Sequence, residues 1–391
     1  MLPYLEASGV RATIFTVDPA VREEATDEWM VELAGNKFDK VVVKCLSPKA
    51  TRKFGFGDLG FRLSPFLFFT LLKEIRRKKP DMILFPVPPW NTLMIVPLLY
   101  RLTGVKYAID YIDPWVVRDK PVNFKQKFSQ WIARSIEKKV VKNASVIFAV
   151  SDGINNQLLE DYPFLDKKKL IGVPYGGEAK DFTYFSSSAL NGKEFSMIRY
   201  VGGIGPDMHE VSKAVLLALK KLSKKKKVRA EFIGTTYAGP GLAKPALTDY
   251  LKEYDLNSIV QEKPERVSYR KAIELSMEAD MLLLFGGMKT YYAASKLMGN
   301  LLSGKPLVAF THRHSFPSDF LKQVNFKWLV TYTGEPGDLP EDHITELAAM
   351  METLLNDLNA YEKVEVDKTD LKNYTAAAMT GIFIENMKKY V

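Results

Sequence analysis

Short apolar runs alternate along this chain with longer segments whose apolar residues recur at helical spacing. The runs predict strands at Thr13–Val17, Val41–Cys45, Met82–Val87, Val105–Ile109, Val146–Val150 and Lys169–Val173. A second series follows at Met197–Val201, Arg229–Ile233, Ser258–Gln261, Met281–Phe285, Leu307–Phe310 and Trp328–Thr331. The periodic segments predict the helices between them. Ser64-Pro65 signals the start of one that runs to Lys79, and Pro88-Pro89 opens another, from Trp90 to Leu102. Phe124, Phe128, Trp131, Ile132, Ile136 and Val140 mark the apolar face of a long helix. In the second series helices are expected at 207–223, 241–254, 267–278, 292–303 and 316–323, with two closing helices at Glu341–Leu358 and Asp370–Tyr390. Residues 46–63 have no period and read as loop. Two successive series of β-α alternation predict an α/β protein of two doubly wound, Rossmann-like domains facing across a cleft. The expected bounds are 1–182 and 195–370, with the polar, aperiodic stretch 183–194 as linker and 371–391 as a closing helix.

Composition narrows the chemistry. The length of 391 residues suits two domains, and 47% hydrophobic residues suffice for sizeable cores. One cysteine, Cys45, excludes a disulfide framework and suits a reducing, cytoplasmic compartment. The net charge of +9 fits an anionic partner such as a nucleotide or an acidic lipid. The densest basic clusters, Arg76–Lys79 and Lys224–Lys227, each end a predicted helix, where the helix dipole favours cations. No basic stretch is interleaved with aromatic residues, so nucleic acid is not the expected partner.

Two turns offer an anion site. Tyr291–Pro306, YYAASKLMGNLLSGKP, lies between two buried strands and carries a helix start near Ala293, Ala294 and Ser295, with Lys296 beside it. Open parallel sheets bind ligands at such places, and free N–H groups there suit a phosphate. The same residues read equally well as an ordinary helix start with a solvated lysine. Tyr200–Gly205, YVGGIG, runs from a strand through Gly203 and Gly205 into the next helix, so a ligand can approach its backbone. Taken together, two such turns on one sheet edge suit a diphosphate. His209 follows the second turn within reach of a ligand. Asp110 and Asp113, in DYID, have no nearby histidine or third carboxylate, so a cap and a turn are expected there rather than a metal. No spacing supports a catalytic triad or a zinc site.

These segments together resemble a known family. VPPWNTLMIVPLLYRLTGVKYAIDYIDPW at 87–115, IEKKVVKNASVIFAVSDGINNQL at 136–158, VPYGGEAKDF at 173–182, YVGGIG, ADMLLLF with SKLMGNLLSGKPLVAF, and YTAAAMTGIFIENM at 374–387 resemble, in order, the elements of family 4 type glycosyltransferases with the GT-B fold. The resemblance implies a retaining glycosyltransferase that moves a sugar from a nucleoside diphosphate sugar to a glycan or lipid-linked acceptor. It implies a donor site at Gly203, Gly205, Ser295 and Lys296, with Arg266 after the third strand of that domain where base or phosphates pass. Asp113 and Trp115 fall on the acceptor side, and Asp113 and His209 are the candidates for catalysis. The last helix is expected to cross back to the first domain. No metal or other cofactor is expected, because backbone N–H groups and Lys296 neutralise the diphosphate.

The departures from the family pattern are specific. Tyr291 and Gly299 stand where it has two glutamates, Pro206, Asp207 and His209 where it has an arginine and a lysine, and Ile112 in place of an arginine. The family also begins with a strand and a glycine-rich loop that this sequence starts after, so a central strand of the first sheet is expected to be missing. Two alternatives therefore stand beside the transferase: a non-catalytic GT-B-like partner in a glycan-assembly complex, and a nucleotide-sugar epimerase. Finally, the aromatic and basic residues of the predicted helices, Phe66, Phe68 and Phe69 before Arg76–Lys79, and Phe124 with Lys125, Lys127, Arg134, Lys138 and Lys139, suit peripheral contact with an anionic membrane on its cytoplasmic face. The same helices are equally well explained as cover for the sheet.

Overall fold

The computed structural model describes residues 1–391 except 19–20, 22–26, 35–37, 49–50, 52–57, 117, 119–122, 186–193, 237, 239–240, 335–338, 340, 359–360 and 362–369; of Ala34, Lys125 and Asp370 it describes the backbone alone. The chain forms two compact units: Met1–Arg22, Ala34–Pro174 and Met379–Val391 make the first, Glu23–Leu33 and Tyr175–Ala378 the second. The expected linker, 183–194, lies in the span of the second unit, mostly outside the described residues.

In the first unit, β1 (Thr13–Val17) pairs in parallel with β2 (Asp39–Val43). Separately, β3 (Met82–Val87), β4 (Lys106–Tyr111), β5 (Val146–Ala149) and β6 (Leu170–Gly172) form a four-stranded parallel sheet in that order. No ladder joins the two sheets among the described residues. Burial reflects the break. All of β5 is buried, as expected of apolar strands covered on both faces, whereas β1 is only half-buried before Val17 and Val42 of β2 is exposed. What ties the starts of β1 and β2 together is Lys78, whose ammonium donates to Thr13 Oγ1 at 2.8 Å and Asp39 Oδ2 at 2.6 Å.

The helices of this unit correct two expectations. The helix expected to begin at Ser64-Pro65 spans Leu59–Lys78 and is capped by Asp58, whose carboxylate accepts from Phe61 N at 3.0 Å and Asn91 Nδ2 at 2.8 Å. Part of the stretch read as loop is therefore helical, and Pro65 sits inside the helix. The second correction concerns Phe124–Asn143. Val140 is buried and Ile132 and Ile136 are half-buried, but Phe124, Phe128 and Trp131 are exposed. At about 100° per residue the three rings form one ridge, opposite Glu137 and Val140. The inward side of the helix holds a polar anchor: buried Glu137 accepts from Tyr111 Oη at 2.9 Å and Tyr162 Oη at 2.8 Å. The last helix, Ala376–Lys388, brings Phe383 to 4.3 Å from Phe148 of β5.

The second unit holds β7 (Ser196–Val201), β8 (Val228–Ile233), β9 (Val260–Lys263), β10 (Met281–Phe285), β11 (Leu307–His312) and β12 (Leu329–Tyr332) in one parallel sheet, ordered β12-β11-β10-β7-β8-β9. Every residue of β10 and β11 is buried. Two predicted helices are shorter than expected. The first, Thr248–Glu253, starts late because Ala246 N and Leu247 N donate to the Glu262 carboxylate instead of entering a helix. The second, Leu297–Leu302, starts late because Tyr292 folds back: its ring packs on Gly286 and its hydroxyl lies 3.4 Å from Phe285 O. Among the described residues, no helix is long and apolar enough to cross a membrane.

Candidate functional site

The order of the six-stranded sheet reverses at β7, whose neighbours are β8 and β10. Such a switch point leaves a crevice at the carboxyl ends of its strands, where ligands bind in open α/β sheets. Three glycine turns meet there. After β7, Gly202 N donates to Ile233 O at 2.9 Å and Ile204 N to Thr235 O at 2.8 Å, so the turns after β7 and β8 are held side by side. Tyr200 Oη fixes Gly203 O at 2.8 Å. Beyond β8, Gly234 takes a left-handed conformation with φ of +71°, and Arg266 Cα would lie 3.8 Å from a Cβ placed there. Beyond β10, Gly287 has its carbonyl held by Tyr332 Oη at 2.9 Å.

Lys296 crosses this crevice. A Cβ on Gly202 would lie 2.9 Å from its Cε and 3.1 Å from its Nζ, so the side chain rests on the bare backbone of the β7 turn. Burial, and secondarily the charge of Arg266, push the Lys296 ammonium below the usual lysine range. Among the described residues no carboxylate pairs with it. A desolvated ammonium beside a second cation gains from an anionic ligand. Asp207 lies on the other side of the turn: its carboxylate would be 1.9 Å from a Cβ on Gly287 and 2.9 Å from one on Gly205, so it fills the space the two glycines leave.

The expected residues are thus placed as follows. Gly203, Gly205, Arg266 and Lys296 all belong to the loops at the carboxyl ends of β7, β9 and β10. Ser295 is exposed in the turn before Leu297–Leu302, a helix too short for its end to make an anion site, so the turn's charge rests on Lys296 itself. His209 begins the helix His209–Ser223, with its ring edge-on to Tyr250 at 6.4 Å. In the first unit Asp113 is exposed after β4, its carbonyl accepting from Trp90 Nε1 at 3.3 Å, and Trp115 is half-buried two residues on. Asp110, expected only to cap a turn, lies within β4, and burial pushes its carboxyl up to about 7. Gly202, Gly287 and Asp207 were not anticipated as parts of the site; the repeated Gly-Gly at the ends of β7 and β10 was their signal. Among the described residues no three His, Cys, Asp or Glu side chains cluster as a metal site requires.

The architecture defines the class: two Rossmann-like units with parallel sheets make this a GT-B protein, and solved structures share the fold. A sucrose-phosphate synthase from Thermosynechococcus elongatus is 13% identical over 99% of this chain and 90% of its own, with a TM-score of 0.66. Anabaena HepE in complex with UDP is 12% identical over 97% and 100%, with a TM-score of 0.62. A UDP-forming α,α-trehalose-phosphate synthase from Burkholderia xenovorans is 11% identical over 97% and 99%, with a TM-score of 0.64. Residues 1–176 match the model of the glycosyl transferase 4-like domain, so this part of the chain is similar to family 4 type glycosyltransferases. No curated protein matches it at the level of sequence.

Proposed function

We propose that the protein transfers a sugar, with retention at the anomeric carbon, from a nucleoside diphosphate sugar to a glycan or lipid-linked acceptor. The observation that carries this reading is Lys296, packed on Gly202 beside Arg266 at the switch point and, among the described residues, unmatched by a carboxylate. A diphosphate supplies the missing negative charge. UDP is the favoured nucleotide, because similar structures include HepE bound to UDP and UDP-glucose and a synthase described as UDP-forming.

In the reaction the bond from C1 of the sugar to the diphosphate oxygen breaks, and an acceptor hydroxyl oxygen bonds C1 and gives up its proton to the departing diphosphate. The products are the glycoside and the free nucleoside diphosphate. Charge grows on the departing diphosphate, so cations already in place there lower the barrier. Lys296 and Arg266 take that role in our reading without a metal. Asp113 and Trp115 belong to the acceptor side. A second reading is favoured by one observation: Gly299, where an added Cβ would lie 3.7 Å from the Phe182 ring, and Tyr291 stand at the two expected glutamates, so no carboxylate is present to hold a ribose from these positions. That arrangement suits a non-catalytic partner in glycan assembly.

Titration with UDP, GDP and their sugars, followed by product analysis, separates the readings. We expect UDP and a UDP-sugar to bind, and Lys296→Ala to weaken them by about ten- to a hundredfold, the equivalent of a charge-assisted hydrogen bond. Lys271→Ala, at a surface pair with Glu274, serves as the control; Lys305 is buried and does not suit. Equal affinity in Lys296→Ala and the parent removes the donor site from this turn. Nucleotide binding without any glycoside or free diphosphate formed selects the non-catalytic partner.

A further inference from the structure

Three helices of the first unit pack side by side: Val96–Thr103 touches both Leu59–Lys78 and Phe124–Asn143. Val96–Thr103 and Phe124–Asn143 follow β3 and β4 in turn, and right-handed crossovers put both on one face of the sheet. Each of the three exposes large apolar side chains away from its neighbours. Phe69 is 69% exposed, Leu98 51% and Leu102 55%, and along Phe124–Asn143 the rings of Phe124, Phe128 and Trp131 are 82%, 53% and 65% exposed. Those three rings form a ladder, with centroids 6.5 and 6.0 Å apart and planes within 11° and 23° of parallel. Scattered exposed apolar residues are ordinary, but a layer of them is not.

The charge on this layer has one sign. The three helices contain twelve Lys and Arg and two Glu. Of the two, Glu74 is held by Arg77 and Glu137 is buried. On the outer side of Phe124–Asn143 the ring ladder continues into exposed Lys138, Lys139 and Lys142. On Leu59–Lys78 a shallow recess is lined by Phe69, Leu72, Lys73, Arg76 and Arg77, an apolar floor rimmed by cations.

We propose that the outer side of this helical layer docks on an anionic lipid bilayer. Aromatic rings and leucines enter the headgroup boundary while Lys and Arg side chains stay among the phosphates, the arrangement of interfacial helices. The geometry disfavours the other occupants. A second copy in an isologous contact sets the same positive charges against each other. Single-stranded nucleic acid stacks its bases on ring faces, and the exposed Leu98 and Leu102 of this layer offer none. A protein interface core is depleted in lysine, which is abundant here. The proposal stands apart from the donor-site reading, since none of these residues belongs to the second unit.

Flotation of the whole chain with vesicles of phosphatidylcholine, with and without phosphatidylglycerol, tests it at low and high salt. We expect flotation with the anionic vesicles at low salt and loss at high salt. Phe124→Ser/Phe128→Ser/Trp131→Ser should reduce partition more than tenfold with an unchanged circular dichroism spectrum. Each cation near an anionic surface contributes roughly fivefold, so Lys138→Gln/Lys139→Gln/Lys142→Gln should reduce partition by about a hundredfold. UDP titration of both variants should match the parent. Protein left at the bottom with anionic vesicles overturns the proposal, as does ring-variant binding equal to the parent's. So does a parent oligomer that the ring variant dissolves, which assigns the layer to a second copy, or ring-dependent retention by a single-stranded oligonucleotide.

Discussion

Glu137 shows what a single buried side chain imposes on this protein. Burial is the largest influence on its carboxyl and pushes it from 4.5 up to about 7, against hydrogen bonds from Tyr162 and Tyr111 that favour the charged form. A carboxyl raised in the folded state contributes stability while protonated. That stability is full below about pH 4.5 and is lost as the pH rises towards 7. The shift corresponds to about 3 kcal/mol at most. Glu137→Gln keeps an acceptor for one tyrosine hydroxyl, gives a donor to the other and cannot ionise. We expect the variant to be more stable than the parent at pH 8 in urea unfolding, equal to it near pH 4.5, and to have a flatter profile between. Part of the slope should persist, because Asp110 is raised to about 7 in the same way. A parent and variant with parallel profiles would show that Glu137 stays charged in the fold. Neither shift was legible in the sequence. Glu137 reads as one charge on a basic helix, and its partners lie 25 and 26 residues away, beyond any local pattern. Lys296 was legible because glycine turns, strand ends and a lysine at a helix start are local features.

Among the elements, each of the twelve strands of the described residues overlaps an expected run, with β2 and β9 shifted by two residues, whereas the helix boundaries were not legible, because caps and anchors decide them. Asp58 begins the helix Leu59–Lys78 by accepting from Phe61 N, and the same carboxylate accepts from Asn91, which precedes the next helix. Ser64-Pro65 carried the stronger local signal and lost to this pair of bonds. Asp58→Ala removes both acceptors, and we expect it to lower the unfolding free energy of the first unit by about 1–2 kcal/mol, with Asp58→Asn retaining most of it. An unchanged midpoint in Asp58→Ala would mean that packing alone sets this helix start. Tyr292 acts in a similar way at the turn after β10, where its fold back onto Gly286 shortens the next helix to Leu297–Leu302. The periodicity of 292–303 is genuine, but half of it serves the turn. On Phe124–Asn143, apolar spacing wide enough to span two faces was read as one; the rings take the solvent side because Glu137 with its two tyrosines holds the other.

At the scale of the molecule, β-α alternation was legible because each strand and its following helix are neighbours in sequence. The allotment of chain to the two units was not. The short helix Glu28–Ala34 lies between β1 and β2 in sequence, yet Glu23–Leu33 belongs to the second unit. Contacts far apart in sequence hold it there: Tyr269 N donates to the Asp27 carboxylate, and Trp29 stacks on Tyr269 with centroids 5.5 Å apart. Two units with separate cores lead to a thermal prediction. Each is large enough to melt as its own cooperative transition, so calorimetry of the whole chain should resolve two. The crevice at β7 lies wholly within the second unit, between the loops after β7, β8, β9 and β10. UDP at about a hundred times its dissociation constant stabilises the unit that binds it by about 2.7 kcal/mol, which raises the midpoint of a unit of this size by roughly 5–10 °C. The other transition should stay in place, and in Lys296→Ala the shift should shrink at the same UDP concentration. Equal movement of both transitions would tie the nucleotide to both units, and movement of neither would leave the crevice at β7 without its ligand.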